Sequence, residues 1–131
     1  MKLLTFILIF FYSYTGNIFA KLFDASEFQL ENGLKVIVVE NDRAPIVSQM
    51  IWYNVGSVDE EYGKSGLAHF LEHLMFKGTT KFPNGYFSKY ISKNGGSENA
   101  FTSFDYTAYY QIIPSDKVEK IIELESDRMR N

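Results

Sequence analysis

The alternation of apolar and polar residues divides the chain into short strands and helices. Residues 28–30 alternate between apolar and polar, and residues 35–39 are mainly β-branched and apolar. An Asn-Gly pair between two such segments, here Asn32-Gly33, is a strong hairpin signal. Residues 46–55 form a longer run that ends at Gly56-Ser57 and is typical of a strand. We expect these three strands to pair in sequence as one meander.

The second half of the chain contains both helix-like and strand-like patterns. Residues 67–76 are apolar on nearly every side, which predicts a helix that is buried. Residues 86–93 predict a short helix that ends before a glycine pair. Two strands rich in Thr, Tyr and Phe follow at residues 97–101 and 107–113.

A last helix is predicted after Pro114, with Ser115 as its N-cap. Its apolar side consists of Val118, Ile121, Ile122 and Met129. The order of elements predicts an α+β fold, in which helices pack on one face of an antiparallel sheet. At 131 residues, the chain has room for one small domain.

The amino-terminal residues 1–20 have the features of a secretory signal peptide. Lys2 supplies the positive charge, residues 3–14 are almost continuously apolar, and Ala20 offers a cleavage site. The apolar stretch is shorter than the roughly 20 residues that span a bilayer, so we expect no stable membrane span. The expected mature segment is 21–131, in the periplasm or secreted. An uncleaved signal anchor that extends to Phe23 is the alternative.

Charge and cysteine content exclude several classes of protein. The formal net charge is −3 and no cluster of Lys and Arg occurs, so nucleic acid is not an expected partner. The chain has no cysteine, which excludes a disulfide scaffold and a lipid-modified cysteine at the cleavage site. Packing or a metal ion must therefore stabilise the exported protein.

The only two histidines, His69 and His73, lie four residues apart with Glu72 between them. At about 100° of rotation per residue, all three side chains leave one side of a helix. Two imidazoles at this spacing can bind one Zn²⁺ ion, and a neighbouring carboxylate can take a proton from water. The pattern H-x-x-E-H is a metallopeptidase signature, although three such residues can also meet on a helix by accident.

The residues around this motif resemble the amino-terminal part of the pitrilysin-type zinc peptidase family, also called the insulinase or processing-peptidase family. The blocks that carry the resemblance, in order, are residues 32–36, 56–60, 66–73, 76–79 and 95–102, followed by Asp105, Thr107 and Tyr109. Several blocks in the right order are more specific than the histidine motif alone. The resemblance covers nearly all of the expected mature segment.

The resemblance implies a zinc-dependent endopeptidase that acts on peptides or unfolded polypeptides. It implies that His69 and His73 are zinc ligands and that Glu72 is the general base. It also implies that a substrate peptide adds as a strand beside residues 97–101, touching Asn99 and the backbone of Ala100. For Asn99, the alternative is a turn followed by an ordinary core strand.

The resemblance also implies that this segment is incomplete. The family's third zinc ligand is a glutamate roughly 75 residues beyond the second histidine, and a catalytic site needs three protein ligands. Only 58 residues follow His73, so we expect the third ligand beyond residue 131. The carboxylates downstream of the motif are interpreted as solvated charges; they are Glu98, Asp105, Glu119, Glu123, Glu125 and Asp127.

The family's active unit pairs two related domains, so we expect this chain to need a complementing chain or a second family domain. Uncovered sheet and helix surface should then be found on the segment itself. Two alternatives to an active peptidase stay open. One is a non-catalytic remnant that binds a peptide or a partner, and the other is a non-functional gene fragment.

Overall fold

The computed structural model describes residues 24–131, so the predicted signal peptide lies outside the described residues. The described residues divide into two compact units, 24–42 and 43–131. None of the described helices is long and apolar enough to cross a membrane.

The described part of the first unit is a β-hairpin. Strand β1, Ala25–Gln29, pairs antiparallel with strand β2, Lys35–Val39. Gly33 has a φ of 88°, a conformation that glycine adopts without strain, and the Asn32 side chain accepts the N–H of Leu34 in the same turn. The predicted Asn-Gly hairpin is therefore confirmed.

The second unit contains a three-stranded antiparallel sheet. Its strands are β3, Ile46–Tyr53, β4, Ser97–Thr102, and β5, Thr107–Pro114, in the spatial order β3-β5-β4. The expected meander is wrong, because β1 and β2 form a sheet of their own and β3 pairs along its whole length with β5. Each of the two strands has eight residues, so this long-range pairing satisfies backbone hydrogen-bonding groups along the full length of both.

Three helices follow the predicted order. Helix α1 is Leu67–Leu74, α2 is Tyr86–Lys93 and α3 is Val118–Arg128. The predicted N-cap role of Ser115 is wrong. This residue opens a short 3₁₀ turn, Ser115–Lys117, and its own N–H donates to the carbonyl of Pro45 at 3.0 Å.

The hydrophobic core lies between α2, α3 and the central strand. It consists of Phe87, Ile91, Ile113, Ile121 and Leu124. Helix α1 packs on β4 and β5 beside this core. The α+β prediction, with an antiparallel sheet and helices on one face, is thus confirmed.

Helix α1 is not the buried helix that its composition predicts. Ala68 and Glu72 are buried, but the opposite side is exposed, with Phe70 at 59%. The exposed residues on that side are Leu67, Phe70, Leu71 and Leu74. Within residues 24–131, only the side toward the sheet is covered, so an apolar composition did not ensure burial.

A buried polar cluster joins α3 to β5. Glu125 forms an ion pair with Arg128 and accepts a hydrogen bond from Gln111, so the interpretation of Glu125 as a solvated charge is wrong. The Arg128 guanidinium lies 4.4 Å from the ring centre of Tyr109 and 4.8 Å from that of Phe87. Burial raises the pKa of Glu125, while Arg128 opposes the shift.

Candidate zinc and catalytic site

Helix α1 begins at a residue that cannot cap it. Gly66 is the N-cap, in the left-handed region with a φ of 95°, and has no side chain. The carboxylate of Glu60 takes over this role, because its two oxygens accept the N–H groups of Gly66 at 2.7 Å and of Ala68 at 2.8 Å. These donors, Ala68 first, lower the pKa of Glu60.

The segment that carries Glu60 is attached to the turn after β4. The N–H groups of Ser57 and Val58 donate to the carbonyls of Ser103 and Phe104, at 3.1 and 3.0 Å. A Cβ atom on Gly56 would lie 2.2 Å from the Phe104 carbonyl oxygen, so only glycine permits this approach. The block of residues 56–60 thus links the start of α1 to the sheet.

The two histidine side chains converge as the spacing predicts. Their Nε2 atoms lie 3.2 Å apart, and both rings are exposed. Two nitrogens bound at about 2.0–2.1 Å to one tetrahedral zinc ion lie about 3.3 Å apart. The separation between His69 and His73 therefore fits two ligands of the same ion.

Glu72 lies on the side of α1 that faces the sheet. It is only 7% exposed, and its Oε2 accepts a short hydrogen bond from the hydroxyl of Thr102 on β4. The neighbouring Thr107 hydroxyl donates to the carbonyl of Val55 at 2.9 Å. The Thr102 hydroxyl has one hydrogen, and it is donated to the Glu72 carboxylate.

An open cleft of about 600 Å³ connects these groups. Its lining includes Glu60, His69 and Glu72 from one wall and residues 100–104 from the other. One histidine, the buried carboxylate and the end of β4 therefore face the same space.

The two residues predicted to touch substrate lie on β4, at one edge of the described sheet. Ala100 lines the cleft, whereas the exposed side chain of Asn99 is not part of that lining. Asn99 Oδ1 instead accepts the N–H of Ala100 at 2.9 Å. A peptide that pairs with this edge would compete with the Asn99 side chain for that N–H.

The third ligand is not provided by the described part of the chain. Within residues 24–131, no group of three His, Cys, Asp or Glu side chains is placed to hold a metal ion. The carboxylate of Glu60 lines the same cleft as His69 but is occupied at the helix start.

Two site residues, Glu60 and Thr102, were not predicted from the sequence. The alternation along β4 could have placed Thr102 on the same face as Ala100. No comparable signal points to Glu60, since the known capping patterns do not include a side chain six residues before the N-cap.

The chain is similar in sequence to known proteins. A family model described as insulinase, peptidase family M16, matches residues 35–131. The zinc protease PqqE of Helicobacter pylori is 41% identical over 101 residues, which cover 76% of this chain and 23% of that protein. The beta subunit of the mitochondrial-processing peptidase of Dictyostelium discoideum is 40% identical over 103 residues, 78% of this chain and 22% of the subunit.

A solved structure has the same fold. The crystal structure of a protease from Helicobacter pylori matches with a TM-score of 0.77 and 38% sequence identity, over 82% of this chain and 26% of that one. The chain thus spans about a quarter of the length of these relatives.

Proposed function

Because the chain belongs to the insulinase family, peptidase family M16, we propose that it is the zinc-binding part of a metalloendopeptidase. The observation that carries this proposal is the 3.2 Å separation of the two Nε2 atoms of His69 and His73, beside the buried carboxylate of Glu72. Zinc-dependent peptide hydrolysis requires three protein ligands and a general base, and this pair with its neighbour would supply two of the ligands and the base.

His69 and His73 would hold the ion through Nε2, and a bound zinc ion would supply acidification of water and polarisation of the substrate carbonyl. Glu72 accepts a proton from the attacking water and returns it to the leaving amine. Thr102 keeps the Glu72 carboxylate in one orientation through its hydrogen bond. The third ligand is proposed to come from outside residues 24–131, on the later helix that the family resemblance implies.

The substrate is proposed to be an extended peptide or an unfolded polypeptide. Strand β4 lies at an edge of the described sheet, and Ala100, Phe101 and Thr102 line the cleft beside His69. An added strand would pair with this edge and bring a peptide carbonyl close to Glu72. The name of the Dictyostelium relative, a subunit, supports a requirement for a second chain or domain in activity.

Isothermal titration with zinc tests the proposal on the chain itself. We expect weak binding by the native sequence, because two imidazoles are one ligand short of a catalytic set. His69→Ala and His73→Ala should each abolish it, whereas Glu72→Gln should leave it unchanged because Glu72 transfers protons and binds no metal. Loss of zinc in Glu72→Gln would contradict these roles, and absence of binding by the native chain would contradict the zinc site.

A further inference from the structure

We propose that Glu60 is a positioning residue for the two zinc-binding histidines, because it holds the first turn of α1 in place. This inference rests on the zinc site proposed above. It assigns to Glu60 an effect on metal affinity without contact with the metal.

Helix α1 needs such support because it is short. It has eight residues, and isolated helices shorter than about 12–15 residues are marginal in water. His69 is its third residue and lies in the first turn, while His73 lies in the last. If the first turn frays, His69 moves away from His73 and the pair no longer converges.

Glu60 is the side chain that prevents this fraying. Its two oxygens accept the N–H groups of Gly66 and Ala68, which flank the first helical residue. A negative charge at this end of a helix is also favoured by the helix dipole. The cap replaces the side chain that the glycine at the N-cap lacks.

The support comes from the sheet, through the segment before Glu60. Ser57 and Val58 are hydrogen-bonded to residues 103 and 104, immediately after Thr102. The end of β4 therefore carries Thr102, which orients Glu72, and the two residues after it anchor the segment that caps α1. The first turn of α1 and the carboxylate of Glu72 are thus both positioned by the same end of β4.

The expected effect on zinc binding follows from the population of the intact first turn. The apparent dissociation constant rises as the fraction of competent molecules falls. Replacing a capping side chain by alanine lowers the equilibrium constant for forming the helix start by a factor of about five to ten. Zinc affinity of Glu60→Ala should therefore fall by up to that factor, and by less the more stable the first turn of α1 is without its cap.

The experiment is titration of the whole chain with zinc sulfate, using Glu60→Ala, Glu60→Gln and the control Glu61→Ala. Glu61 is the adjacent carboxylate, exposed and paired with Lys64. We expect Glu61→Ala to bind zinc like the native chain. Glu60→Gln keeps one acceptor oxygen and should lie between the native chain and Glu60→Ala. Equal losses in both Glu60 variants would mean that charge attraction, not capping, acts on the ion.

Amide hydrogen exchange without metal tests the cap independently. The amides of Gly66 and Ala68 should exchange faster in Glu60→Ala, while those of α3 keep their native rates. Unchanged exchange, or equal zinc affinity in Glu60→Ala and Glu61→Ala, would overturn the inference. Failure of the native chain to bind zinc would instead overturn the proposed function, so the two failures can be distinguished.

Discussion

The hydroxyl of Thr102 donates to the carboxylate of Glu72, and this hydrogen bond joins β4 to α1 across thirty residues of sequence. Among the described residues, the Thr102 hydroxyl is the hydrogen-bond partner of the Glu72 carboxylate. A buried carboxylate without a partner is costly, so this contact contributes to stability as well as to orientation.

Thr102→Val should therefore destabilise the chain, while Thr102→Ser should retain most of the native stability. Valine has the same shape but cannot donate, and leaving a buried acceptor unpaired costs about 1–3 kcal/mol of the free energy of unfolding. Urea denaturation measures the difference, with Thr80→Val at an exposed threonine as the control. Equal stability of the valine and serine variants would contradict the role of the hydroxyl.

The pair of Glu125 and Arg128 gives a second prediction about stability. Glu125→Gln leaves the buried guanidinium without its counter-charge and should lower the free energy of unfolding by about 3 kcal/mol. Combining it with Arg128→Met removes both charges and should restore part of the loss. A double variant less stable than the single one would show that the aromatic contacts of Arg128 outweigh the ion pair.

Glu123 makes stability depend on pH in the acid range. Lys120 and Lys81 donate to its carboxylate at 2.7 and 2.9 Å, and they lower its pKa from 4.5 to about 2. A lowered folded-state pKa contributes stability that is complete above pH 4.5 and is lost as the pH falls toward 2.

The unfolding midpoint should therefore fall less between these pH values in Glu123→Gln than in the native chain. The difference should be small, and salt should reduce it further, because the ion pairs are exposed. Glu119→Gln removes another exposed carboxylate of α3 and is the matched control. If both variants follow the native profile, the ion pairs of Glu123 do not contribute in solution.

The activity of the 131-residue chain is also predicted. We expect no measurable cleavage of a quenched fluorescent peptide, because residues 24–131 contain no group of three side chains placed to hold a metal ion, and a catalytic zinc site needs three protein ligands. A homologous continuation that adds a glutamate should first raise zinc affinity. Chelator-sensitive cleavage by the chain alone, lost in Glu72→Gln, would contradict the position proposed for the third ligand.

The last prediction concerns residues 1–20, outside the described part of the structure. We propose that export removes them, because charge, apolar stretch and small residue occur in the order of a signal peptide. Mass spectrometry of the periplasmic or secreted fraction should find Lys21 as the first residue. A mature protein that retains the apolar stretch would overturn the proposed location.

Local patterns in the sequence determined much of this protein. The Asn-Gly hairpin, the three helices and the histidine spacing depend on interactions between residues a few positions apart, and these are visible in a single sequence. The convergence of His69 and His73 is such a case, since four residues of helix bring the two rings together whatever surrounds them.

Only the tertiary structure decided the rest. The pairing of β3 with β5, the burial of Glu125, and the contacts of Thr102 and Glu60 with α1 join residues whose separation follows no fixed rule. The exposed side of α1 has the same cause, because composition sets how apolar a helix is but its neighbours decide which side they cover. The sequence thus determined which chemical groups are present on α1, and long-range packing determined how they are held.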